Sequence, residues 1–310
     1  MRKQIICVLA VILIASIKNE STAQKIKLLK KTHLADYPSA SSLEYYKGRL
    51  YVIGDDASAV WILDNEHRFL DSIPLFSSTT KRIPPGIKAD LESSTILKNN
   101  ETDYLVCISS FSTDHRNKII YINLTDRTIP PKTIETDLRK INVEELNIEG
   151  SASFNDQLIL SNRANATHKN NSLIITSLSA GEGIKIENNK VITLTLPGKK
   201  NIIGISGITY AKEKDLLLFS ASTEDTPNAI TDGTIGTSYI GYIKNISKKI
   251  NNSSVKTTKL ISISKYLKEK TAQKIESITV GKMNKNNGIV HLAADNDNGE
   301  STLFKLRVKL

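Results

Sequence analysis

Five stretches of this chain can be laid over one another, and no other feature restricts its fold as strongly. Each opens on a short polar anchor and continues into two runs rich in β-branched and aliphatic residues. The first anchor, Ser41-Ser42-Leu43-Glu44, leads into residues 48–55 and 58–64. The fifth, Lys274-Ile275-Glu276-Ser277, leads into 288–295 and 301–306. Residues 90–93, 147–150 and 204–207 open the three units between them. Aligned on Ser42, Glu92, Glu149, Ser206 and Glu276, the anchors are 50, 57, 57 and 70 residues apart. β-units of this length at a near-fixed period predict an all-β fold, a five-bladed β-propeller with one four-stranded blade per unit. Runs such as 68–75 and 190–196 supply outer strands. The fifth unit stops after its third strand, and the orphan run 25–34 is expected to complete it. That pairing closes the ring by the N-terminal strand and removes an exposed sheet edge. A β-sandwich would need neither the repeated anchor nor the split blade.

The repeat begins only after a different kind of segment. Arg2 and Lys3 precede an apolar run from Ile5 to Ile17, and Ser21-Thr22-Ala23 offers small residues for cleavage. Residues 1–23 read as a secretory signal peptide and 24–310 as a single propeller domain, periplasmic or secreted. Thirteen apolar residues are short for a bilayer span, and no later segment could make one. Cys7 leaves with the leader, so Cys107 stands alone in an apolar run and reads as a buried structural thiol. The formal net charge is +10, but the lysines are scattered through turns and lack the aromatic interleaving of nucleic-acid binders. This argues against nucleic acid and for weak attraction of acidic envelope polymers.

The start of each innermost propeller strand faces the central channel. Three carboxylates (Glu92, Glu149, Glu276) and two hydroxyls (Ser42, Ser206) should therefore converge on one axis. Crowded carboxylates favour a counter-cation, and hard oxygen ligands suit Ca²⁺. Zinc lacks support, because no Cys or His stands at these positions. The plain alternative is a hydrated channel with the glutamates bonded to neighbouring backbone. Against it, Glu-Ser or Glu-Gly at this position is not expected to be needed for blade packing.

The stretches Ser42–Tyr51, Leu91-Glu92-Ser93, Ile148-Glu149-Gly150-Ser151, Gly204-Ile205-Ser206-Gly207 and Ile275-Glu276-Ser277 together resemble the calcium-activated nucleotidases (apyrases). The resemblance implies five blades, one axial Ca²⁺ and ligands at Ser41, Ser42, Glu92, Glu149, Ser206 and Glu276. The family's Ser-Glu pair falls on Ser41-Ser42, so a carboxylate is lost there unless Glu44 substitutes. No counterpart of the nucleotide-holding residues is present, so the resemblance does not extend to nucleotidase activity. The chain is also similar to bacterial propellers related to the SdiA-regulated and phytase-like esterase families.

A second polar ring follows the second run of each unit: Asp55-Asp56, Ser109-Ser110, Asn162-Arg163, Ser222 to Asp225 and Asp295 to Asp297. It should rim one mouth of the channel, where propellers keep their sites. Arg163, the lone cation in that ring, suits a carboxylate or phosphate. Two classes of function follow. One is a module binding a small molecule or an envelope polymer at the mouth. The other is a Ca²⁺-dependent hydrolase of phosphoryl or ester bonds, with Glu224, Asp225, Asp295 or His115 as acid/base and Arg163 as anion clamp. Neither a Gly-x-Ser-x-Gly elbow nor a phosphate-binding glycine loop is present.

Overall fold

The computed structural model describes residues 26–99, 102–129, 138, 141, 143–180, 184–197, 202–225, 227–229, 233–295 and 299–310. The leader reading of residues 1–23 lies outside them. Among the described residues no helix is long and apolar enough to cross a membrane.

The described chain forms five sheets, antiparallel except at one outer edge, arranged as a five-bladed propeller. Blade 1 runs Ala40–Tyr46, Arg49–Gly54, Ala59–Asp64 and Phe69–Pro74, from inner to outer strand. Blade 2 has Leu91–Asn99, Thr102–Ser109 and Ile119–Asn123 among the described residues. Blade 3 has Ile148–Phe154, Gln157–Asn162, Asn171–Ala180 and Ile184–Thr195, and Ser254–Lys256 adds a parallel strand at its outer edge. Blade 4 has Ile203–Ala211, Leu216–Glu224, Ile235–Lys244 and Lys259–Ser262.

Blade 5 is composite. Lys274–Met283, Asn287–Asp295 and Ser301–Lys309 are joined by Ile26–Leu34, which pairs antiparallel with Ser301–Lys309 from Ile26↔Val308 to Leu34↔Ser301. The expected ring closure is therefore present.

The apolar residues sort into five clusters, one in each gap between neighbouring blades, because each sheet has two apolar faces and a neighbour on both sides. Leu216, Leu218 and Ile240 of blade 4 meet Ile275, Leu292 and Phe304 of blade 5 in one gap. Leu43 and Leu50 of blade 1 meet Ala293 and Leu303 of blade 5 in another. Cys107 is buried between blades 1 and 2, and burial pushes its thiol up to about 12, as expected of a structural cysteine.

Near the axis the inner strands are the crowded elements. Each carries a β-bulge at its anchor. The pairing skips from Ala40 to Ser42, Leu91 to Ser93, Ile148 to Gly150, Ile205 to Gly207 and Ile275 to Ser277. The extra residues are Ser41, Glu92, Glu149, Ser206 and Glu276. The blade-1 equivalent of the glutamates is thus Ser41, one residue before the Ser42 of the sequence alignment. The residue after each bulge is small for a packing reason. A Cβ on Gly150 would lie 2.7 Å from the Ile208 amide nitrogen of the next blade, and one on Gly207 would lie 2.9 Å from Ser277 Cα. The view that Glu-Ser or Glu-Gly is unneeded for packing is corrected here: the small residue lets the inner strands approach.

Candidate functional site

A bulge bends its strand and re-aims the extra side chain, and five bulges at one end of the ring aim five side chains toward the axis. What each does depends on whether it can donate a hydrogen bond. Ser41 Oγ donates to the Leu91 carbonyl at 2.5 Å, and Ser206 Oγ donates to that of Ile275. Both acceptors immediately precede the next blade's anchor, so the hydroxyl anchors fasten one blade to the next. Ser42 Oγ lies 2.8 Å from Ser94 Oγ in the same role. An ionised carboxylate only accepts, and Glu149 and Glu276 face cationic side chains instead.

Two charged clusters result. In the first, Arg163 projects from the end of a blade-3 strand and is buried. Its guanidinium donates to Glu149 Oε2 at 3.2 Å and to Glu224 Oε2 at 2.5 Å, and Glu276 Oε2 lies 3.6 Å away. Ser222 accepts a further bond at 3.2 Å. Lys274 Nζ lies 3.0 Å from Glu276 Oε1 and 3.9 Å from Glu224 Oε1. Burial works against the charge of Arg163, but Glu149, Glu276 and Glu224 more than offset it and hold it protonated. Glu149 is pushed up to about 7, chiefly by burial, with Arg163 opposing and Glu276 adding.

The second cluster joins blades 1 and 2. Asp55, Asp90 and Glu92 place their carboxylate oxygens within 4.8 Å of one another, a trio that could hold a metal ion. Lys88 reaches the same place from the loop before blade 2, pairing with Asp55 Oδ2 and, at 2.8 Å, with Asp90 Oδ1. Asp90 Oδ2 also accepts from Ser110 Oγ at 2.5 Å and Arg116 at 3.1 Å. Burial raises Asp55 to about 6 despite Lys88. Glu92 is raised well above the usual carboxylate range by burial and by Asp90, Asp55 and Glu149, with Lys88 opposing. Beside them Arg82 Nε donates to Asp56 Oδ2 at 2.5 Å.

The expected residues are therefore divided. Glu149, Glu276, Glu224 and Arg163 come together, whereas Glu92 lies with Asp55 and Asp90. Among the described residues Glu92, Glu149 and Glu276 form no trio within 4.8 Å. Arg163 holds protein carboxylates rather than facing an open anion site. Asp225 and His115 are exposed, and His115 Nδ1 lies 3.2 Å from Thr113 Oγ1. Asp295 is partly buried at the end of the second strand of blade 5, close enough to act on Arg82 electrostatically. Residues 296–298 lie outside the described residues. Lys88, Asp90 and Lys274 were not singled out from sequence. Asp90 and Lys274 each stand two residues before an anchor, and that shared offset was the available signal.

A protein-family model matches residues 36–308, almost the whole ring. The chain belongs to DUF6929, a family of unknown function. No curated protein matches this DUF6929 chain. Solved structures resemble it more distantly. A glutaminyl cyclase of Myxococcus xanthus is 11% identical over 92% of this chain and 96% of that one, with a TM-score of 0.55. A virginiamycin B lyase of Staphylococcus aureus is 13% identical over 92% and 99%, with a TM-score of 0.38. A GH43 endo-arabinanase of Bacillus licheniformis is 12% identical over 86% and 92%, with a TM-score of 0.45. The cyclase shares the fold with the DUF6929 chain. The other two are too distant for a blade-by-blade comparison.

Proposed function

We propose that this propeller is an exported binding module that takes a positively charged ligand at the mouth of its axis, with Ca²⁺ the ion suited to Asp55, Asp90 and Glu92. One observation carries the reading. At the mouth the six carboxylates of Asp55, Asp90, Glu92, Glu149, Glu224 and Glu276 face the four cations Lys88, Arg116, Arg163 and Lys274. Burying charge costs several kcal/mol per ion unless it is fully paired, and blade packing asks for none of it. The carboxyls outnumber the cations by two, and Glu92, which burial, Asp90 and Asp55 lead to hold its proton, can exchange that proton for a bound cation. Lys88 also indicates the kind of guest: its ammonium already lies between Asp55 and Asp90, where a cation is stabilised.

The test uses the whole protein and Ca²⁺ as probe. Saturation at 100-fold over Kd adds ~2.7 kcal/mol if only the folded chain binds. Chelator should lower the melting temperature, and Ca²⁺ should restore it better than Mg²⁺, which demands stricter geometry. Lys88→Met should unfold at lower temperature without Ca²⁺ and respond more strongly to it, whereas Glu92→Gln should respond less. Identical melting curves in chelator and in millimolar Ca²⁺ for wild type and Lys88→Met would remove the ion from the reading.

A second reading, hydrolysis of a phosphoryl or ester bond, draws on Glu149. A carboxyl near 7 beside a fixed cation can exchange protons at neutral pH. Turnover of phosphate, ester or lactone substrates that Glu149→Gln abolishes, with Ca²⁺ binding intact, would favour it.

A further inference from the structure

The seam between blade 5 and blade 1 holds a pair of histidines that no part of the axial site uses. His67 stands in the turn between the two outer strands of blade 1, with a left-handed backbone at φ 59°. Its Nε2 lies 2.9 Å from Nδ1 of His291, on the second strand of blade 5, and its Nδ1 lies 3.1 Å from Thr32 Oγ1, on the closing strand Ile26–Leu34. Tyr45 of blade 1 stacks on His291, with ring centres 5.8 Å apart and 7° between planes. The same turn is gripped on its other side. Lys305 Nζ donates to Asn65 O at 3.1 Å and Glu66 Oε1 at 2.6 Å, and Lys30 Nζ donates to Glu66 O at 2.5 Å. One turn thus holds both strands that close the ring.

We infer that this turn is an acid-labile clasp: with both imidazoles neutral it fastens blade 1 to the closing strand, and their protonation releases it. The geometry excludes charging both rings at once. A nitrogen–nitrogen contact of 2.9 Å has room for one proton, so two imidazolium rings would oppose N–H to N–H. His291 Nε2 is buried against Gly281 without a hydrogen-bond partner, so a positive charge there would have nothing to meet.

The surrounding charges agree. His67 is held down at about 4 by burial, then by Lys30 and Lys305, with Glu66 and Asp64 opposing. His291 is held down at about 3 by burial, His67 and Lys305. Unfolded histidine titrates near 6.5. Between that value and the folded ones the unfolded chain binds more protons, so stability is intact above about 6.5 and falls as pH drops toward 4. With the open clasp titrating as the unfolded chain, each histidine should lower the equilibrium constant for closing the clasp about 20-fold at pH 5 relative to neutral pH.

The test follows the intact protein by NMR and hydrogen exchange. Both ring signals should stay neutral down to pH 5. Amide protection across Ile26–Leu34 should fall more than tenfold from pH 7.5 to 5.0, while the inner strand Ile203–Ala211 keeps its protection. His291→Leu should shrink that difference to the share that His67 alone contributes. Should it not fold, Thr32→Val leaves both imidazoles in place and should move the loss of protection to higher pH. Ring signals titrating near 6.5, or equal loss of protection in all blades, would overturn the clasp.

Discussion

Glu44 shows what a single carboxyl does when the fold gives it no partner. It lies on the inner strand of blade 1, partly buried, without a hydrogen bond or ion pair to any described residue. Burial alone pushes it up to about 8. Its folded pKa exceeds the unfolded value near 4.3, so the folded chain holds this proton more tightly. The stability tied to that proton is present below about 4.3 and is lost as pH rises through 8. Glu44→Gln should therefore match wild type near pH 4 and melt several degrees higher near pH 9. Parallel melting temperatures across that range would refute the assignment. Sequence alone reached the identity of the axial glutamates but not their partners. Glu149 and Arg163 of blade 3 meet Glu276 and Lys274 of blade 5, a proximity that only the ring creates. The same limit separates Glu92 from the other two, because Asp55 and Lys88 reach it from a neighbouring blade and a loop.

Strands and their pairing were more legible, because alternation and spacing are local. The anchors, the outer run 68–75 and the split fifth blade all correspond to observed strands. The register at the anchor was not legible in blade 1. A bulge inserts one residue without disturbing the flanking apolar runs, so Ser41 and Ser42 looked interchangeable until their pairing separated them. The closing strand also permits a direct measurement. Ile26 is fully buried in the cluster between blades 4 and 5, beside Val308 in the pairing. Ile26→Ala should cost about 2–5 kcal/mol, the range for emptying a packed site. Loose tails tolerate truncation. An Ile26→Ala protein as stable as wild type would mean that the strand does not fasten the ring.

On the scale of the whole molecule, charge is segregated. The chain is strongly basic overall, with a formal net charge of +10, yet its axial mouth holds more carboxyl groups than cations. Exposed basic groups are screened beyond about 10 Å at 0.1 M salt, whereas partly buried charges are screened much less. Retention on an anionic polymer column should therefore collapse at moderate salt, while the Ca²⁺-induced rise in melting temperature persists there. Equal loss of both effects would place the ion on the exposed surface. The split blade sets a schedule as well. Apart from the edge strand Ser254–Lys256 of blade 3, the described strands of blades 1 to 4 come from nearby stretches and can pair in turn as the polypeptide is synthesised. Ile26–Leu34 is made before any of them, and its partner Ser301–Lys309 is made after all of them. Loop-closure entropy makes such a distant pairing slow. The oldest strand thus waits, unpaired, until translation has reached the end of the ring, and losing either segment strips the other of its partner at the outer side of blade 5.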